Sequence, residues 1–99
     1  MKLREIARAS VQDAGMLAEV AVVAFDARDY PLLEQMLTPA RIRIQLGRRV
    51  RPTIVRYSKP HLGALTFVLW PTRSSTHAFS SILLQMDLET APSRLQLVG

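Results

Sequence analysis

The feature that most constrains this chain is its opening. Leu3-Arg4-Glu5-Ile6-Ala7-Arg8-Ala9 reads as a short strand, and Ser10-Val11-Gln12-Asp13 then starts an alanine-rich stretch running to about Phe25. Ser10 suits an N-cap, and Asp13, three positions on, can return a hydrogen bond and favours a positive helix start. Ala14, Leu17, Ala21 and Ala24, flanked by Val20 and Phe25, recur at the spacing of a buried helical stripe. The pattern predicts an amphipathic helix over residues 10–25. A polar elbow, Asp26-Ala27-Arg28-Asp29-Tyr30-Pro31, follows it.

Pro31 fits the first turn of a second helix, Leu32 to Leu37, which Thr38-Pro39 would close. From Arg41 to Val50 two periods compete. Ile42, Ile44 and Leu46 alternate as in a strand, whereas Ile42, Leu46 and Val50 recur as in a helix. Thr53 to Ser58 is β-branched and aromatic, Lys59-Pro60-His61-Leu62-Gly63 makes a turn, and Ala64 to Trp70 is an almost continuous apolar run ended by Pro71. That sequence predicts a β-hairpin whose second strand lies inside a sheet. Beyond Pro71 the pattern is ambiguous. Residues 78–86 fit a helix, Ile82 to Leu88 would also serve as a strand, and Arg94 to Gly99 reads as a tail.

Ninety-nine residues suffice for one domain, and 48% hydrophobic residues supply a core. The chain has no cysteine, which removes thiolate chemistry, disulfides and Cys-ligated zinc and fits an intracellular, cytoplasmic protein. No apolar run approaches the roughly 18 residues that span a bilayer. Glu5 and Asp13 interrupt any secretory or mitochondrial leader pattern.

The net charge of +5 is unevenly spread. Residues 1–34 carry four bases and six acids, residues 35–86 eight bases and no acid, and residues 87–99 one base and two acids. The middle segment should attract phosphates or acidic surfaces. Arg41, Arg43, Arg48, Arg49, Arg51, Arg56 and Lys59 form its bulk, but Tyr57 is the only aromatic residue among them. Single-strand nucleic-acid grooves interleave bases with aromatics, so a solvated basic face is the simpler reading.

The histidines, His61 and His77, stand sixteen positions apart with few carboxylates near, a poor pattern for zinc. Ser74, Ser75, Ser80 and Ser81 belong to no G-x-S-x-G elbow. Trp70, ending an apolar strand, reads as core. Asp26, Asp29 and Tyr30 form the most functional-looking polar cluster: carboxylates to attract an amine and an aromatic wall beside them, in residues that also simply make good turns.

A strand, two helices and a hairpin with an apolar second strand resemble the front half of the GNAT acetyltransferase superfamily, over roughly residues 2–71. The pieces that carry the likeness are Leu3–Ile6, Ser10–Phe25, the Asp26–Pro31 elbow and the hairpin ending at Trp70. The resemblance implies an α+β fold with an incomplete GNAT-like sheet, acetyl-CoA as cofactor and a primary amine as acceptor, with Asp26, Asp29 and Tyr30 bordering the acceptor groove. In that family a loop of pattern Arg/Gln-x-x-Gly-x-Gly/Ala holds the pyrophosphate. The nearest match is Arg94-Leu95-Gln96-Leu97-Val98-Gly99, with Leu97 where the first glycine belongs, so Arg94 and Gly99 would meet the cofactor. Without the family's second half, the same likeness implies a non-catalytic relative, a small dimerising or partner-binding domain. Its expected mode is homodimerisation through the exposed edge of the Ala64–Trp70 strand. A basic nucleic-acid-binding module is the third expectation, and no membrane partner is expected.

Overall fold

The computed structural model describes residues 1–72 and 76–88. It is an α+β fold built on one four-stranded antiparallel sheet. Its strands are β1 (Ala7–Ala14), β2 (Leu17–Ala24), β3 (Val50–Lys59) and β4 (Ala64–Pro71), in spatial order β1-β2-β4-β3. Three helices, α1 (Tyr30–Met36), α2 (Pro39–Leu46) and α3 (Phe79–Leu84), fill the connections.

The largest departure from expectation lies in the opening segment. Residues 10–25 form most of a β-hairpin, not a helix. Ala14 pairs with Leu17 across a two-residue loop, and Gly15 there has φ +72°. Two-residue hairpin loops favour glycine at such a position, whereas glycine inside a helix costs about 1 kcal/mol. The side chains weigh the same way. A helix would have buried mainly alanine methyls, while β2 buries Ala18, Val20 and Val22 completely. Val20 pairs with Phe67 and Val22 with Leu65 on β4. β-Branched residues pack well on a pleated surface.

The first residues also differ. Leu3–Glu5 is a single 3₁₀ turn, in which the Lys2 N–H donates to the Glu5 carboxylate at 2.8 Å, and the strand starts only at Ala7. The order strand, helix, helix, hairpin is therefore not the order found here.

Elsewhere the helical period prevails. In α2, Ile42 and Leu46 are fully buried while Ile44 is 80% exposed. Thr38 follows the end of α1 as expected and also caps α2: its Oγ1 accepts the Arg41 N–H at 3.2 Å, with Pro39 in the first turn. Gly63 (φ +62°) closes the turn before β4. Residues 79–84 are helical, with Phe79 and Leu83 buried.

The expected exposed edge of Ala64–Trp70 does not exist. β4 is hydrogen-bonded to β2 on one side and β3 on the other, so β1 and β3 are the edges. This follows from its composition: the most apolar strand occupies an interior position of the sheet. Pro52, which cannot donate to a ladder, lies on edge strand β3 where the register slips between Val50 and Ile54.

All three helices pack on one face of the sheet. Leu33, Leu37, Ile42, Leu46, Phe79 and Leu83 meet Val20, Val22, Leu65, Phe67 and Leu69 there in a single core. The alternate residues of every strand point to the other face, which no described helix covers.

Candidate functional site

The elbow residues come together, but as a closed turn. Asp26 caps the 3₁₀ turn Ala27–Asp29, accepting the Arg28 N–H at 2.9 Å. The same carboxylate takes Arg28 Nη2 at 2.9 Å in an exposed ion pair. The Arg28 guanidinium, and next its backbone N–H, hold the Asp26 carboxyl below its ordinary value of 3.8. Tyr30 is buried, and its hydroxyl donates to Glu34 Oε2 at 3.3 Å. The Asp26 carboxylate is thus engaged by its own neighbour, the Tyr30 ring is buried, and Asp29 ends the 3₁₀ turn before α1. Arg94 and Gly99 lie outside the described residues.

The basic cluster is dispersed in the same manner. Arg56 Nη1 donates to the carbonyls of Glu34 (2.7 Å) and Leu37 (3.1 Å) at the end of α1. Arg49 Nη1 holds Leu46 O at 3.1 Å, and Arg41 Nη2 holds Asp87 O at 3.2 Å. These three guanidiniums donate to backbone carbonyls, those of Arg56 and Arg49 at helix ends, where carbonyls run short of intrahelical donors. Among the described residues no group of three His, Cys, Asp or Glu side chains could hold a metal ion, and no charged side chain is buried.

What remains is the uncovered sheet face. The registers set its side chains in rows across the strands. Arg8, Val23, Ala64 and Lys59 form one row; Ser10, Ala21, Thr66 and Tyr57 the next; Gln12, Glu19, Val68 and Val55 the third. The middle of the face is thus made of alanine, valine and threonine methyls, with Tyr57 54% exposed at one side. Its charges stand apart, two cations in the first row and Glu19 two rows away.

The face ends at a groove. The irregular stretch Arg51-Pro52-Thr53 leaves the regular ladder beside Trp70, whose ring is half-buried rather than in the core. A groove of about 470 Å³ is lined there by Asp13, Gly15, Met16, Leu17, Arg51, Trp70, Pro71 and Thr76. Asp13, expected at a helix start, instead ends β1, where its Oδ1 accepts the Thr76 hydroxyl at 2.6 Å. Sequence reasoning missed this face and groove because the helical reading of residues 10–25 removed half the sheet. The available signals were the alternation of Ala18, Val20 and Val22 and a proline within a strand pattern.

No protein family, curated protein or solved structure matches this chain.

Proposed function

We propose that this chain is a non-catalytic, self-associating domain whose open sheet face packs on that of a second copy. The observation that carries the reading is a face with an apolar centre that no described element covers. Antiparallel sheets tolerate solvent on one side when that side is polar, and here Ala21, Val23, Ala64 and Val68 make its centre apolar. Two such faces can pack about 10 Å apart, as sheets do in sandwiches.

The charges favour a copy of the same surface. A two-fold axis lying across the strands along the row of Ser10, Ala21, Thr66 and Tyr57 sets each row of cations against the partner's third row. Arg8 then comes beside the partner's Glu19, and Ala64 meets the partner's Val68. Like charges do not meet. Four strands spaced about 4.8 Å, seven residues long at about 3.4 Å each, present roughly 450 Å² per copy. The pair would bury about 900 Å², which is small for a permanent complex and fits a reversible one.

A reversible dimer melts at a midpoint that rises with protein concentration, because association stabilises only the folded chain. The wild type should show that rise. Val68→Arg, which sets a charge at the centre of the face, should melt at one temperature throughout. A wild-type midpoint independent of concentration would count against the reading.

A further inference from the structure

We propose that the groove at the end of the sheet binds a small amphoteric molecule, one with a flat apolar body between a carboxylate and an ammonium group. The site does not depend on self-association, since the two-fold arrangement above leaves Leu17 and Trp70 beyond the covered rows.

Asp13 on β1 and Arg51 on β3 bring opposite charges to the groove from the two edge strands of the sheet, and the two are not joined. The Arg51 side chain has no hydrogen bond or ion pair among the described residues, and among those residues it is the one cation lining this groove. Its guanidinium, on the irregular stretch of β3, presents a planar fork that matches a carboxylate. Asp13 lines the same groove. Its Oδ1 takes the Thr76 hydroxyl, and Oδ2 has no partner among the described residues. An ammonium group can add to that carboxylate without displacing the threonine.

Between the two charges, Trp70, Met16, Leu17 and Pro71 supply apolar wall. The indole face suits a planar ring. Met16 stands 86% exposed at the hairpin tip, and its flexible thioether can fold over a bound ring. A second, adjoining depression is lined by Arg51, Thr53 and Trp70, so the arginine and the indole form the wall shared by both. The volume of about 470 Å³ lies within the range of small-molecule sites. A ligand that spans the groove neutralises both charges at once, which neither a simple anion nor a simple cation achieves.

Trp70 is the chain's only tryptophan, so its fluorescence reads the groove directly. The test titrates the whole chain with 4-(aminomethyl)benzoate, benzoate and benzylamine. The expected result is a saturable change in emission, tightest for 4-(aminomethyl)benzoate, weaker for benzoate and weakest for benzylamine. Arg51→Ala should weaken both carboxylates about tenfold or more, the loss expected for a charged hydrogen bond. Asp13→Asn keeps an acceptor for Thr76 and should reduce 4-(aminomethyl)benzoate to the affinity of benzoate. Both side chains lie outside the core, and unchanged thermal melts of the variants would show that the fold persists. A response that never saturates, equal binding of the three probes, or an Arg51→Ala variant that binds as well as wild type would overturn the proposal.

Discussion

Arg56 ties the helix-covered face of β3 to the end of α1. It stands opposite Phe67 in the ladder, and its guanidinium accounts for two carbonyls that α1 leaves unpaired. Truncating it would strand both acceptors in a half-buried position. Arg56→Ala should therefore lower the unfolding free energy by about 1.5–3 kcal/mol in urea denaturation. Arg56→Lys should recover only part of that, because an ammonium group lacks the fork. Asp26 acts on a smaller scale. Its carboxyl is held below its ordinary value by Arg28 in the folded chain, so the folded state binds that proton less readily than the unfolded one. The contribution is complete above the ordinary carboxylate range and is lost as pH falls through the lowered value. Melting midpoints followed from pH 6 to acid should fall less in Asp26→Asn than in wild type; equal slopes would remove this pair from the acid response.

The hairpin β1–β2 turns on Gly15. With φ at +72°, a side chain there is strained, yet a Cβ would touch nothing within 4 Å. Gly15→Ala should thus cost about 1 kcal/mol from backbone conformation alone, visible as a lower denaturation midpoint with an unchanged slope. The same hairpin shows why part of this fold was legible and part was not. Ala64–Trp70 reads correctly as a strand because its run is too apolar, and too tightly bounded by Gly63 and Pro71, for much else. From Arg41 to Val50 the sequence left two periods open, and the exposure of Ile44 between buried Ile42 and Leu46 decides for the helix. Residues 10–25 satisfy the helical period and, over Ala18–Ala24, the period of two. Alanine packs acceptably in either, so the deciding contacts were those with Phe67 and Leu65, more than forty positions away. The elbow was legible as a turn, and its Asp26 carboxylate caps its own backbone.

At the scale of the molecule, the described helices cover one side of the sheet, and no described element covers the apolar centre of the other. Among the described residues no helix is long and apolar enough to cross a membrane. In the proposed dimer a second copy supplies the missing layer. Arg8→Glu should weaken association by setting two acids together, and Arg8→Glu with Glu19→Arg should restore it, a reciprocal effect that general loss of stability would not produce. The most direct measurement is sedimentation equilibrium of the wild type and Val68→Arg across a range of concentrations. Self-association predicts a wild-type mass that climbs with concentration from 11.1 kDa toward twice that value, and a variant that stays at 11.1 kDa. A wild type that remains at 11.1 kDa throughout would contradict it.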